Sequence, residues 1–372
     1  MIVKGKKLQK ENVKNVLLIQ LGDIGDVVYS LPCAKALKEA FPEAKVVMAV
    51  RSKASELVED SLWIDDVIAV DDKKRGWLES LAYQRDFWNT VRGFHFDLAV
   101  DLRTGTRGAI LAFLSGARQR VGRYAIDGKL WRNRVFTHLV LPKGGMNQFI
   151  AEYYLDTIVE YGIATENLNP VIHVAAEKSI KVTQLLWDEG VPDDKPLLAI
   201  QPFSLWGYKE WAVKKYIALI EELTKVFDIS IIITGAPNER ERSEEIVRSC
   251  GSRVYNLAGK TPLNLLPALY KRCELFLGVD SAGVHIAGAV GTPTVSLYGP
   301  SSPETWAPKG KRHIVIRKDF PCVPCKETGC EGSMKSRCMD ELTVEEVLPV
   351  VEKSLELILN PQEMSEAKTL KK

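Results

Sequence analysis

Long apolar runs are missing from this sequence, and so are a large net charge and a high cysteine content. No uninterrupted apolar stretch in its 372 residues reaches the ~18 residues of a membrane-spanning helix. The net charge of +2 argues against a dedicated nucleic-acid binder. Seven cysteines do not make a disulfide scaffold at this length, and a hydrophobic content of 46% argues against disorder. We therefore expect a soluble globular protein of about two domains.

The common glycine-rich nucleotide motifs are also absent. After the apolar run 16–21 the chain reads Gly22-Asp23-Ile24-Gly25-Asp26, without the G-x-G-x-x-G spacing or the Gly-Lys-Ser/Thr of a Walker loop. The two glycines let the backbone turn sharply beside a ligand. Acidic side chains are poor phosphate ligands, so Asp26 is a candidate general base, and the alternative is a plain helix cap.

Strand-like apolar runs alternate with helical patterns along most of the chain. The runs are 16–21, 44–50, 67–70 and 96–100, and then 197–201, 229–234, 254–257, 275–279, 294–297 and 314–316. This alternation predicts an α/β protein with parallel sheets. Asn169-Pro170 marks a linker. We expect one Rossmann-like domain over 1–172, a second over 173–340, and a final helix with a loose tail over 341–372.

Polar loops follow two strand-like runs of the second half. The loop 202–211 offers Ser204 and Lys209 close to a helix start, a combination that suits a phosphate. The alternative for Lys209 is a stem lying along apolar surface. Glu239 follows Gly235-Ala236-Pro237 and can hold a ribose diol, as an acid does in dinucleotide folds, or can serve only as a favourable first-turn charge.

The most informative turn follows the apolar run 275–279. Asp280-Ser281-Ala282-Gly283 leads directly into a helical pattern that contains His285. In an open parallel sheet such a turn brings a carboxylate, a hydroxyl, an imidazole and free N–H groups to the edge where ligands bind. A helix N-terminus also favours anions there. The alternative is an ordinary turn with a capping Asp or Ser.

Positive charge is concentrated in one part of the first half. Residues 73–134 contain thirteen Lys and Arg against five Asp and Glu, an excess of eight positive charges, with aromatic residues interleaved. This stretch predicts a surface for an anionic or membrane-borne substrate, and the alternative is a solvated face over core aromatics. The candidate contacts are Arg103, Arg107, Arg118, Arg120 and Arg123.

Four of the cysteines are close together in the sequence. Cys322, Cys325, Cys330 and Cys338 have the spacing C-x2-C-x4-C-x7-C, which is compatible with a structural zinc site. Four thiolates would leave no open coordination position, so no catalytic role is assigned to them. Free thiols are the alternative.

These motifs together resemble the ADP-heptose:lipopolysaccharide heptosyltransferases, glycosyltransferase family nine, from about residue 16 to residue 359. Each motif is weak alone, but their order and spacing are specific. They are Gly25-Asp26-Val27, Leu31-Pro32, Lys209-Glu210-Trp211, Gly235-Ala236-Pro237 with Glu239, Asp280-Ser281-Ala282-Gly283 with His285, Gly291-Thr292-Pro293, and Tyr298-Gly299-Pro300-Ser301-Ser302-Pro303. The late cysteine cluster is also similar to one in relatives of the second heptosyltransferase type.

The resemblance implies a GT-B fold, in which two Rossmann-like domains face each other across a cleft and the last helix returns to the first domain. It implies an inverting transfer that needs no cofactor or catalytic metal. Asp26 would be the base, Ser204 and Lys209 would bind the donor diphosphate, and Glu239 the ribose. Asp280 would contact the sugar, and Ser281, Ala282 and Gly283 the diphosphate, with His285 beside them. Leu205 stands where relatives often have a second hydroxyl residue, which puts one phosphate contact in doubt.

The implied function is transfer of heptose from ADP-L-glycero-β-D-manno-heptose to the lipopolysaccharide inner core. The partners would be the ADP-sugar and a lipid A–Kdo acceptor, with no nucleic acid, and the location cytoplasmic and peripheral to the inner membrane. Another nucleotide sugar or glycan acceptor remains an alternative. So do a sugar-nucleotide epimerase, which needs no acceptor surface, and a nucleotide-sugar binding module, which would not need Asp26.

Overall fold

The computed structural model describes residues 1–71, 73, 76–126, 131–141, 143 and 148–360. The chain divides into two compact units, the first over Met1–His173 and the second from Val174 onward. The loose tail predicted after Asn360 lies outside the described residues. Within the described ranges, no helix combines the length and the apolarity needed to cross a bilayer.

The first unit is built on a sheet in the order β1-β7-β6-β5-β2-β3-β4. All neighbouring strands are parallel except β1, which is antiparallel to β7. β2 is almost entirely apolar and buried, as expected for a strand covered on both faces. The strands are β1 (Ile2–Lys4), β2 (Asn15–Gln20), β3 (Lys45–Arg51), β4 (Asp66–Val70), β5 (Leu98–Asp101), β6 (Gln119–Arg123) and β7 (His138–Val140).

Helices connect these strands. They are α1 (Ile24–Ala40), α2 (Ser52–Ser55), α3 (Trp77–Gly93), α4 (Thr106–Leu114), α5 (Arg132–Val135) and α6 (Ile150–Val159). Apolar periodicity predicts a start of α1 near Val27, but the helix begins three residues earlier. The reason is local: the Asp26 carboxylate accepts a hydrogen bond from the backbone N–H of Asp23, which caps the first turn.

The second unit is built on a parallel sheet in the order β10-β9-β8-β11-β12-β13. Its strands are β8 (Leu197–Gln201), β9 (Ser230–Ile233), β10 (Val254–Asn256), β11 (Leu275–Val279), β12 (Thr294–Leu297) and β13 (His313–Ile316). Its helices are α7 (Ala176–Asp188), α8 (Val213–Val226), α9 (Arg240–Cys250), α10 (Leu266–Arg272), α11 (Ala282–Ala289), α12 (Pro303–Trp306), α13 (Arg337–Asp340) and α14 (Val344–Leu359).

The last helix, α14, packs on α8 and on the sheet of the second unit. Its buried residues Val347, Val351 and Leu355 recur at helical spacing and join the core cluster of that unit. The helix begins with a cap in which the backbone N–H of Thr343 donates to Glu346 Oε2 at 2.8 Å. The return of this helix to the first unit remains a prediction.

Candidate functional site

Both sheets reverse their strand order at one point. Counted from the first strand of each parallel set, the order is 3-2-1-4-5-6 in both units, so the reversal falls between β2 and β5 in one sheet and between β8 and β11 in the other. A crevice opens at the carboxyl ends of such a strand pair, and open α/β sheets bind ligands there. Sequence order alone does not show which strands are neighbours, so this placement comes from the structure.

Asp26 lies at the reversal point of the first sheet. Its side chain is 13% exposed and forms an ion pair of 3.0 Å between Oδ1 and Arg103 Nη1. The backbone comes very close here, because a Cβ added to Gly22 would lie 2.4 Å from Asp26 Oδ2 and 2.5 Å from Arg103 Nη1. Gly22 is therefore required by packing against these two side chains, and the Asp26 carboxylate serves as a helix cap and faces the crevice at the same time.

Tyr154 on α6 is a third member of this group, and it was not found from the sequence. Its hydroxyl donates to Asp26 Oδ1 across 128 positions of sequence. A tyrosine in an amphipathic helix is an ordinary core residue, so no sequence signal marks it. Burial raises its pKa well above the usual value, and the neighbouring charge of Asp26 adds to the effect. The phenol therefore keeps its proton and acts as a donor.

Lys209 and Asp280 form the centre of the second site. Lys209 ends a short 3-10 turn after β8, and its Nζ lies 2.6 Å from Asp280 Oδ2. His285 Nε2 lies 3.6 Å from Asp280 Oδ1, and the Asp280 and His285 side chains are almost fully buried. Although burial opposes ionisation of Asp280, the charges of Lys209 and His285 hold its pKa below the usual value. Lys209, predicted from one loop, thus joins Asp280 and His285, predicted from another, in one group.

The N-terminus of α11 continues this site. Ser281 is the N-cap, and its Oγ is buried without a hydrogen-bond partner among the described residues. A Cβ on Gly283 would lie only 2.0 Å from Gln201 Oε1, which itself accepts a hydrogen bond of 2.7 Å from the Tyr270 hydroxyl. Gly283 is thus fitted to a side chain of the neighbouring strand, and the free N–H groups of Ala282 and Gly283 lie at the reversal point of the sheet.

Ser204 and Glu239 are placed near this turn and after β9 respectively. Ser204 Oγ lies 3.5 Å from the carbonyl oxygen of Asp280, and the Ser204 N–H donates to Glu210 Oε1 at 3.1 Å. Glu239 is the last residue of a 3-10 turn and accepts a hydrogen bond of 2.7 Å from the Ala236 N–H. Burial raises the pKa of Glu239. Its carboxylate therefore holds its own loop, which follows the carboxyl end of β9.

The five candidate arginines of the first unit do not form one surface. The side chains of Arg103, Arg107 and Arg118 are exposed. Arg120 is half-buried and donates to the carbonyls of Val135 and Ala117. The fifth, Arg123, is fully buried and packs 3.4 Å from the Tyr153 ring centroid. A buried guanidinium engaged in this way cannot reach a surface anion, so the expectation of acceptor contact is corrected for Arg123.

The cysteine cluster does not support the predicted zinc site. All four cysteines are described, and nowhere in the described part of the chain do three His, Cys, Asp or Glu side chains converge as a metal site. Cys322, Cys325, Cys330 and Cys338 are free thiols. The spacing shows that these residues are close in the sequence, but it does not determine how their side chains are oriented.

Two Rossmann-type sheets, each with polar groups at its reversal point, define the GT-B class of fold. The family model of glycosyltransferase family 9 (heptosyltransferase) matches residues 84–335, which is more than half of the chain. The chain belongs to this family. It is therefore a glycosyl-transferring enzyme, as the sequence motifs predicted.

Curated relatives agree with this assignment. Lipopolysaccharide heptosyltransferase 3 of Escherichia coli K12 is 28% identical over 89% of this chain and 95% of its own length. The lipopolysaccharide core heptosyltransferase OpsX of Haemophilus influenzae is 26% identical over 92% of this chain and 97% of its own. These alignments cover both units of the protein.

Solved structures show the same fold. The family 9 glycosyl transferase of Veillonella parvula superposes with a TM-score of 0.80 and 21% identity, over 94% of this chain and 99% of that one. E. coli ADP-heptose lps heptosyltransferase II gives 0.76 and 20%, over 92% and 98%. These likenesses confirm the predicted GT-B fold.

Proposed function

We propose that this enzyme transfers heptose from ADP-L-glycero-β-D-manno-heptose to the inner core of lipopolysaccharide, with inversion at the anomeric carbon. The observation that carries the proposal is that the two sheet reversals carry two different kinds of chemical group. One is a carboxylate suited to accept a proton, Asp26. The other is a cationic, N–H-rich turn around Lys209 and Gly283 that suits a leaving diphosphate.

The second unit supplies the donor side. Lys209 and the N-terminus of α11 provide positive potential for the diphosphate, and the unpartnered Ser281 hydroxyl provides a further donor. Ser204 stands next to this turn, and Glu239 is available for the ribose. Asp280 would contact the sugar hydroxyls, oriented by His285. The solved E. coli heptosyltransferase WaaC with ADP, a structural neighbour with a TM-score of 0.70, supports an adenine nucleotide as the carrier.

The first unit supplies the base. The acceptor hydroxyl oxygen forms a bond to the anomeric carbon, on the face opposite to the ADP. The bond from that carbon to the phosphate oxygen breaks, and its electron pair leaves with ADP. The acceptor proton passes to Asp26. A single displacement of this kind inverts the anomeric centre through an oxocarbenium-like transition state.

The acceptor side rests on the exposed arginines. Arg107 on α4 and Arg118 before β6 are exposed, and Arg103 lies beside the proposed base. Guanidinium groups suit the phosphates and carboxylates of a lipid A–Kdo acceptor. We infer a location on the cytoplasmic face of the inner membrane, where such an acceptor is available. No cofactor is required by this mechanism, because positive charge at the leaving group comes from Lys209 and the helix N-terminus.

The test combines the ADP-heptose donor with a Kdo-bearing lipid A acceptor, and measures ADP release together with acceptor mass in the presence of EDTA. Wild type should add one heptose mass per ADP. Asp26→Asn should lose about 10²–10⁴-fold in rate, because general-base catalysis contributes that much. The matched control is Asp23→Asn, three residues earlier, whose carboxylate pairs with Lys53 rather than facing the crevice.

Four outcomes would count against parts of the proposal. Full activity of Asp26→Asn would remove the base, and loss of activity with EDTA would remove metal independence. ADP release without a mass gain would show hydrolysis and exclude this acceptor. An anomeric configuration retained in the product, read by NMR, would exclude the single displacement.

A further inference from the structure

Asp26 is held by three donors on three different elements. Its Oδ2 accepts from the Asp23 N–H at 2.7 Å, while its Oδ1 accepts from the Tyr154 hydroxyl and faces Arg103 Nη1 at 3.0 Å. A carboxylate offers about four lone-pair positions. Three donors leave one position for an incoming hydroxyl, which is what a base needs in order to bind the acceptor before taking its proton.

Tyr154 is a fixed donor. Its side chain is 3% exposed, and α6 packs along α1, the helix that carries Asp26. A phenol on a buried helix cannot turn away from the carboxylate without leaving its own place in the core. The hydrogen bond therefore fixes the orientation of the Asp26 carboxylate.

Arg103 is fixed by a buried ion pair beneath it. Its backbone N–H donates to Asp101 Oδ1 at 3.1 Å, and its carbonyl accepts from Arg132 Nη2 at 2.6 Å. Asp101 and Arg132 are both 1% exposed and lie 3.5 Å apart. The loop after β5 is thereby tied down at two backbone atoms, so the Arg103 side chain emerges beside Asp26. Further charged groups close by are Asp23 and its partners Lys53 and Arg51.

We propose that Tyr154 is a positioning residue for the transfer reaction, which fixes the orientation of the Asp26 carboxylate so that one lone pair points to the acceptor hydroxyl. Arg103 acts as the charge partner of the same carboxylate. This inference rests on the proposed role of Asp26 as the base. It explains why a helix far along the chain places a buried hydroxyl on this carboxylate.

The direct test records the ¹³C chemical shift of the Asp26 carboxyl by NMR in protein labelled at the aspartate carboxyls, with Asp26→Asn used to assign the signal. In Tyr154→Phe we expect this signal to change its chemical shift, because the hydrogen bond from the phenol to the carboxylate is lost. Tyr161→Phe is the matched control: it also deletes a buried phenol hydrogen bond in the first unit, to the carbonyl of Lys4 at 3.1 Å.

An unchanged Asp26 carboxyl signal in Tyr154→Phe would overturn the inference, even if that variant were less stable or less active. An equal change of this signal in Tyr161→Phe would also overturn it, since the effect would then be general loosening. The kcat of the transfer should fall in Tyr154→Phe while the KM for the donor stays near its wild-type value, and both should stay near wild type in Tyr161→Phe. If Asp26→Asn keeps full turnover, the proposal that Asp26 is the base fails. The NMR result would still show whether Tyr154 orients the Asp26 carboxylate.

Discussion

Replacing Gly283 by alanine tests whether the turn after β11 is fitted to the strand beside it. The new Cβ would lie 2.0 Å from Gln201 Oε1 and 2.7 Å from its Cδ, so the glutamine must move. Moving it breaks the 2.7 Å hydrogen bond from the Tyr270 hydroxyl and leaves that buried phenol with Thr234 Oγ1 at 2.9 Å. We therefore expect the variant to lose stability at the turn after β11.

The magnitude follows from three contributions. A lost hydrogen bond costs about 0.5–1.5 kcal/mol. Overpacking costs about 1–3 kcal/mol. Alanine regains up to about 1 kcal/mol over glycine in a helix. We expect Gly283→Ala to lower the free energy of unfolding by about 1–3 kcal/mol.

The assay is urea unfolding of wild type, Gly283→Ala, Gln201→Ala and the double variant. Gln201→Ala removes the closest obstructing side chain and leaves the Tyr270 hydroxyl 3.0 Å from the new Cβ. The cost of the same Gly283→Ala change in that background should therefore be clearly smaller than in wild type. An equal cost of Gly283→Ala in both backgrounds would refute the steric argument.

Two further variants probe the buried charges. Lys209→Met should lower the rate of ADP release in the transfer assay by about 10²–10³-fold, because it removes the cation from the leaving group and from Asp280. The control Lys214→Met changes an exposed lysine on α8 and should leave the rate unchanged. Equal losses in the two variants would contradict the role assigned to Lys209. Burial raises the pKa of Asp101 to about 7 despite the nearby charge of Arg132, so the folded state binds this proton more tightly than the unfolded state and loses stability as the pH rises from about 4 to 7. Asparagine cannot ionise, so the cost of Asp101→Asn in urea unfolding should be smaller at pH 8 than at pH 5, and an equal cost at both would argue against the buried titration.

Much of the candidate site could be predicted because its parts are short and local. Asp26 and the turn from Asp280 to Gly283 each follow an apolar run and open a helix, and a parallel strand followed by a helix has few possible geometries. The double role of Asp26 as a helix cap and a crevice carboxylate was present in the same five residues. The earlier start of α1 was missed because apolar periodicity does not register a cap made by a carboxylate.

Charge and cysteine spacing were poorer guides. Composition predicted an anionic-partner surface from five arginines, yet Arg123 is buried and Arg120 is engaged with backbone carbonyls. A sequence does not show whether a guanidinium points into the core or into water. The C-x2-C spacing predicted a zinc site, but ligation depends on side-chain directions that spacing leaves open.

The sequence by itself determined the alternation of strands and helices, the family, and the local chemistry of each turn, because these depend on neighbours a few residues apart. Only the tertiary structure decided which turns share a sheet reversal, and which distant side chains complete them. Tyr154 reaches Asp26 across 128 positions, and Gln201 meets Gly283 only because β8 lies beside β11. Such contacts follow from the order of strands in the sheet and the packing of helices on it, which no local pattern encodes.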